Sequence, residues 1–262
     1  MIYLITALDA EARPLVEHYR LKRDFTLPYT LYANDTTVLL VTQPGTVNAM
    51  MATSALLGWR IPSAGDILIN IGICAAPLDC AIGEPLLIHQ ILYGERRYYP
   101  DILYPHDLRE SALLCLDTPA DTPLDVPVDM ESTGVFVAAA KFFKLHQIAF
   151  LKIVSDHFKP DAVSKGGAIE LIRSQTQTLN YLIASMQRAV ADQPLFSEAQ
   201  RENIEEWKQH FTAAQGAKLE DALCYYRLRH PHSEIPFPVS QIPYSKRERS
   251  TLLEEFLATL TA

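Results

Sequence analysis

Across residues 1–190, short apolar runs alternate with stretches of helical character. Residues 2–7 (Ile-Tyr-Leu-Ile-Thr-Ala) form an apolar run of strand length, closed by Asp9 and Glu11. Residues 10–19 then read as a helix, with Pro14 tolerable only in its first turn. Residues 36–42 (Thr-Thr-Val-Leu-Leu-Val-Thr) are β-branched and apolar, the composition of a buried strand. Gln43-Pro44-Gly45 breaks that run, and the Ala-, Met- and Leu-rich residues 47–57 favour a helix. Strands follow at 66–71, 85–92 and, more weakly, 113–116. Residues 126–130 lead into a helix over 132–145. A strand over 148–154 ends at Ser155-Asp156, and 165–190 is mostly helical. Strands alternating with helices predict an α/β class, a three-layer fold with a mixed, mostly parallel central sheet flanked by helices. In such folds ligands bind where strands end and loops begin.

Beyond Asp192-Gln193-Pro194 the strand signals stop. Residues 197–214 and 218–229 look helical, and 230–244 carry Pro231, Pro236, Pro238 and Pro243. Over 251–260, Leu252, Leu253, Phe256, Leu257 and Leu260 fall on one helical face, with Thr251 and Glu254 placed as a capping box. The expected organisation is an α/β domain over 1–191 and a helical C-terminal extension over 192–262. The extension is expected to pack on the first domain through that stripe, or to face a partner subunit.

Composition narrows the classes further. At 48% hydrophobic and 21% charged, the chain has too much apolar matter for disorder to dominate. No apolar run reaches a membrane-spanning length of about 18 residues, and the N-terminus lacks the basic start of a secretory signal. Cytoplasmic residence is the expectation. Lys+Arg 23 against Asp+Glu 31 gives a net charge of −8, opposite in sign to a nucleic-acid footprint. Cys74, Cys80, Cys115 and Cys224 form no CxxC pair and read as buried thiols. His230 and His232 flank a proline, a weak signal for a metal site.

Three acidic sites stand at expected strand ends: Asp9 with Glu11, Asp129 with Glu131, and Asp156. Any one of them could simply cap a helix and complement its dipole. Three converging on one sheet edge are harder to explain that way.

The segments around these acids resemble, in order, those of the nucleoside phosphorylase and nucleosidase superfamily. The nearest likeness is to methylthioadenosine/S-adenosylhomocysteine nucleosidase and futalosine hydrolase. Ala7-Leu8-Asp9-Ala10-Glu11 resembles its acidic segment after the first strand, and Gln43-Pro44-Gly45-Thr46-Val47-Asn48-Ala49 its glycine turn. Ile69-Asn70-Ile71-Gly72-Ile73-Cys74-Ala75-Ala76 resembles its glycine-rich loop, and Ala81-Ile82-Gly83-Glu84-Pro85 its Val-Gly-Asp step. Val128-Asp129-Met130-Glu131-Ser132 resembles its ribose motif, and Val154-Ser155-Asp156 its Ile-Ser-Asp motif.

The resemblance implies cleavage of the N-glycosidic bond of a purine-type nucleoside by a homodimer, with no metal or organic cofactor. It casts Glu11 as the group that positions and deprotonates water, and Asp156 as the acid protonating the departing base. Gly72, Ile73, Met130, Glu131 and Ser155 would contact substrate, with Glu131 accepting hydrogen bonds from the ribose hydroxyls.

The sequence also departs from the family pattern. Ile73 stands where Ser or Thr is usual, Ala75 and Ala76 replace a glycine pair, and the short region 117–125 offers no aromatic to stack on a base. The phosphorylase loop Gly-Asp-Pro-x-Arg is absent, with Arg13 the nearest basic candidate, which favours water over phosphate. Phosphorolysis and a non-catalytic nucleoside- or partner-binding role stay as alternatives. Arg96-Arg97-Tyr98-Tyr99 could face a substrate or partner, or be an exposed loop. His157 could tune Asp156 or have no special role, and Trp59 and Trp207 read as packing residues.

Overall fold

In the computed structural model, which describes residues 1–190, 196–230, 233–237 and 245–261, the strands of the first 190 residues join one mixed sheet. Its centre is parallel. Strands β1 (Ile2–Thr6), β4 (Thr37–Val41), β5 (Ile67–Ala75) and β10 (Ile148–Asp156) lie in the order β4-β1-β5-β10. The pairing β3 (Thr30–Ala33) with β2 (Lys22–Asp24) extends one edge antiparallel. At the other side β10 pairs with β6 (Pro85–Tyr93), β6 with β8 (Arg109–Cys115), β8 with β9 (Val128–Asp129), and β9 returns to β5. These five strands therefore close into a ring, while β7 (Arg96–Tyr98) pairs only with β6.

Period-two alternation explains the layers. In register across the centre, Leu4 meets Leu39 and Ile69, and all three turn to one face. There they bury against Leu15 of α1 (Asp9–Tyr19) and Leu179, Leu182 and Met186 of α5 (Thr176–Val190). Their neighbours Tyr3, Val38 and Leu68 turn to the opposite face. That face is covered by Leu56 and Leu57 of α2 (Thr46–Trp59) and by Val135 and Phe136 of α3 (Ser132–Ala139). Helix α4 (Lys165–Ser174) adds Ile172 to the first face. Burying each such side chain is worth about 1.5–3 kcal/mol, so the two-sided apolar runs dictate a sandwiched sheet.

Several elements differ from the sequence expectation. Pro14 is the sixth residue of α1, in its second turn, where it forgoes the hydrogen bond to the Ala10 carbonyl and is buried instead. Helix α3 stops at Ala139, well short of residue 145, and the chain turns before β10. The short or edge strands β2, β3, β7 and β9 carry too few apolar positions to show a period.

The remaining helices, α6 (Glu198–Lys208), α7 (Ala213–Arg229) and α8 (Lys246–Thr261), belong to a second compact unit, Asp192–Ala262. Ser197 and Thr212 cap α6 and α7 with their side chains. Leu253, Phe256 and Leu260 of α8 bury in a cluster with Phe196, Ile204, Leu219 and Leu223 of the same unit, and Leu257 packs at its margin. Trp207 joins it through Phe256, with ring centroids 5.4 Å apart. Thr251 does not cap α8. The helix begins at Lys246, and the Thr251 hydroxyl donates to the Arg247 carbonyl one turn back. Pro231, His232, Pro238 and Pro243 lie outside the described residues. Among those described, no helix is long and apolar enough to cross a membrane.

Candidate active site

The carboxyl ends of β1, β5, β9 and β10 meet around one cavity of about 520 Å³. Glu11 enters it from the first turn of α1. Leucine at the N-cap, Leu8, cannot cap the helix with its side chain, and Glu11 satisfies the free amides instead. Its Oε2 accepts from Ala7 N and Leu8 N, both at 2.9 Å, while Oε1 accepts from Ile73 N at 2.9 Å. A capping role for this acid is thus real, yet the third bond ties it to the end of β5. Gly72 leaves room for this approach: a Cβ there would stand 2.8 Å from Glu11 Oε1, so the carboxylate would have to shift to accommodate it. Burial raises the Glu11 pKa, against the opposing pull of its three amide donors and of Lys152.

Below Glu11 lies a buried polar network that the pattern of strands and acids does not announce. Lys152, 1% exposed, projects from the middle of β10. Its Nζ is 2.7 Å from Asn70 Oδ1 and 2.7 Å from Asp129 Oδ2. Asn70 Nδ2 donates to the Ile5 carbonyl at 3.1 Å, and Ser132 donates to Asp129 through both its amide and its hydroxyl. Burial opposes charge on Lys152, but Asp129, Glu131 and Glu11 outweigh it and raise its pKa. The signal was present in the sequence: a lysine and an asparagine inside otherwise apolar strands need buried partners.

Glu131 sits just ahead of α3. Its Oε1 accepts from Gly45 N at 2.9 Å and its Oε2 from Met130 N at 3.4 Å. Gly45 holds φ +104°, a conformation open to glycine, and this aims its amide across from the glycine turn. Burial, then the neighbouring Asp129 charge, pushes the Glu131 pKa up to about 7. Asp156 closes the opposite side. The β10–β5 register shifts between Val154 and Asp156, so a bulge at Ser155 re-aims the acid. Asp156 Oδ1 accepts from Lys159 N at 2.7 Å. Ser155 Oγ lies 2.8 Å from Asp156 Oδ2 and 3.0 Å from the Cys74 carbonyl.

Of the residues singled out from sequence, Glu11, Ile73, Met130, Glu131, Ser155 and Asp156 all line this cavity. Gly72 does not; it is buried behind Glu11. Pro119 and Ala120 bring the short 117–125 segment to the wall, and no aromatic ring lines the cavity among the described residues. Arg13 stays outside, paired with Glu17 at 3.2 Å on the surface. Arg96 and Arg97 are exposed and also outside it. His157 Nδ1 sits 2.9 Å from the Ala76 carbonyl. Trp59 is surface-exposed, whereas Trp207 belongs to the C-terminal cluster. Cys74, Cys80 and Cys115 are buried free thiols and Cys224 is partly buried. Among the described residues no group of His, Cys, Asp and Glu is arranged to hold a metal ion.

No protein-family model and no curated protein matches the sequence. Solved structures do match it. A 5′-methylthioadenosine/S-adenosylhomocysteine nucleosidase from S. pneumoniae, in complex with a transition-state inhibitor, superimposes with a TM-score of 0.59 at 17% identity, over 71% of this chain and 99% of the other. The chain carries the nucleosidase fold. Futalosine hydrolase of Helicobacter pylori is similar over 70% of this chain and 97% of its own, with a TM-score of 0.55 at 14% identity. The nucleosidase fold thus accounts for a share of the chain close to that of the α/β unit.

Proposed function

We propose that this chain cleaves the N-glycosidic bond of a purine-type nucleoside or nucleoside derivative, with water as the nucleophile. One observation carries the reading: Glu11, Glu131 and Asp156, from three separate strand ends, face a single cavity in a nucleosidase fold. Glu131 accepts hydrogen bonds from the ribose hydroxyls and fixes the sugar over Met130. Glu11 takes a proton from water as the water oxygen bonds to the anomeric carbon. The bond to the base breaks, its electron pair leaves with the base, and Asp156 gives the base a proton. Glu11 ends protonated and Asp156 ionised, and the products are free sugar and free base. Ser155 supports Asp156. Its hydroxyl has one hydrogen, and when the Cys74 carbonyl takes it, the Ser155 oxygen can accept a proton carried on Asp156 Oδ2.

Phosphate fits this cavity less well than water. Glu11 faces the side of attack, and Arg13 lies outside. The test is base release from a nucleoside panel with and without phosphate. The expected product is the free sugar at a rate independent of phosphate. A sugar 1-phosphate that scales with added phosphate would make the enzyme a phosphorylase, and no release from any nucleoside would leave a binding protein. The homodimer implied by the family resemblance is part of the same proposal.

The Glu131 shift gives a further expected result. Its folded pKa of about 7 lies above the ordinary value of 4.5, so the acid is mostly protonated below pH 7. The stability this contributes is complete below 4.5 and is lost as the pH rises through about 7. Ribose binding runs the other way, because the ionised carboxylate accepts two hydroxyl protons and the acid form only one. KM should therefore fall by about tenfold as the pH rises through 7, the worth of one charge-assisted hydrogen bond. Glu131→Gln should flatten that dependence; a KM profile with the same slope in the variant would refute the assignment.

A further inference from the structure

We propose that Phe158 is a positioning residue for the proton donor: its left-handed backbone turns the chain so that the Lys159 amide holds Asp156 Oδ1 and leaves Oδ2 to carry the proton. The inference rests on the nucleosidase reading above and concerns how its acid is aimed. Among the described residues, three besides glycine have a positive φ: Arg20, Gln43 and Phe158. Arg20 closes α1 as its C-cap, where this conformation is ordinary, and both Arg20 and Gln43 are exposed. Phe158, with φ +58°, is only 4% exposed. An aromatic residue in the left-handed region is strained. Such strain persists where the surroundings enforce it, and it gathers at functional sites. Here the strained residue stands two positions after the acid.

The residues on either side of this turn are tied down. The Ala76 amide donates to the Asp156 carbonyl at 3.0 Å, and His157 Nδ1 lies 2.9 Å from the Ala76 carbonyl. A carbonyl only accepts, so Nδ1 carries the hydrogen, and the ring pins residue 157 to the chain just after β5. Phe158 then decides where the chain goes next, and the Lys159 amide comes back to Asp156 Oδ1 at 2.7 Å. An oxygen that receives an N–H is the poorer place for a proton. The proton therefore sits on Oδ2, 2.8 Å from Ser155 Oγ. When the departing base takes it, the carboxylate left behind has a donor already in place. An extended residue at 158 would carry the amide away and free the carboxyl to rotate. Burial of the Phe158 ring offsets the strain of the turn.

Phe158→Leu and Phe158→Ile place isomeric side chains at this position, but a β-branched residue rejects the left-handed region far more strongly. The experiment compares both, and Phe158→Gly, with the wild type on a purine nucleoside and on a riboside of a nitrophenol, whose leaving group needs no proton. Phe158→Leu should keep most of the turnover. Phe158→Ile should lose about 100-fold in kcat on the purine nucleoside, the cost of misplacing a reacting group by about 1 Å, with KM little changed. Its loss on the nitrophenol riboside should be small. In an Asp156→Asn background the same substitution should cost almost nothing, because no proton donor remains to misplace. Phe158→Gly accepts the conformation but lacks the ring, so it should melt at a lower temperature and keep most of its turnover. Equal rates for Phe158→Leu and Phe158→Ile, or equal losses on the two substrates, would show that Phe158 serves packing alone. Either result overturns the proposal and leaves the nucleosidase reading intact. Should Phe158→Ile not fold, Phe158→Gly decides: retained turnover on the purine nucleoside sustains the proposal, and a loss there overturns it. If the wild type releases no base from either substrate, the nucleosidase reading fails, and hydrogen exchange at the Lys159 amide decides. Exchange that is slow in the wild type and Phe158→Leu but fast in Phe158→Ile and Asp156→Ala sustains the hold of this turn on Asp156. Exchange equal in all four proteins overturns it.

Discussion

Asp156→Asn is expected to slow base release from a purine nucleoside by about 100- to 10,000-fold, the usual contribution of a general acid. The substitution keeps the side chain's size and most of its bonds. Asparagine Oδ1 can still accept from Lys159 N, and its amide can donate to Ser155 Oγ, whose own hydrogen can stay on the Cys74 carbonyl. The melting temperature should therefore barely change. What disappears is an acidic proton next to the departing base. The loss should shrink when the leaving group needs no proton, as for a riboside of a nitrophenol. Rates on the two substrates, in wild type and variant, give the comparison. Equal and small losses on both would mean that Asp156 only orders the loop leading to Lys159, and the catalytic reading would lose its proton donor.

The acids of the cavity were legible in the sequence because each stands at the end of a run of apolar residues, where a strand must stop. Residues 2–7 and 148–154 could be little else than buried strands, and so Glu11 and Asp156 had to fall at their carboxyl ends. The ring of strands was not legible. It depends on β9, two residues long, and on the Ala75–Val128 pairing, neither of which has a period to read. In the sequence Gly72 stands among residues that face the cavity; its role is steric, and only the 2.8 Å approach to Glu11 reveals it. Lys152 is hard to read for the opposite reason. An apolar strand with one lysine still reads as a strand, and the partner that makes the lysine tolerable, Asp129, lies 23 residues earlier in sequence on another strand.

Lys152→Met should cost about 3–5 kcal/mol of stability, the penalty for stripping one partner from a buried ion pair. For a protein of this size that is a fall in melting temperature of about 6–20 °C. Methionine fills much the same space, so lost packing contributes little. The cost comes from Asp129, which is left buried with only Ser132 as donor, and from Glu11 and Glu131, both of which Lys152 helps to keep ionised. The sign of the pH dependence follows. Without the ammonium, the folded-state pKa values of Glu11 and Glu131 rise further, so ionising them costs the variant more than the wild type. The deficit should be largest above neutral pH and should narrow as the pH falls and these carboxyls take up protons. Lys152→Met combined with Asp129→Asn should recover most of the loss, because a neutral amide can accept from Ser132 without a counter-charge. Denaturant melts of the three proteins at two pH values test all of this. A deficit below about 1 kcal/mol, in the range of an exposed pair, would show that the network is not the buried charge pair the geometry describes. A deficit indifferent to pH would show that Lys152 supports the fold without setting the charge of the acids above it.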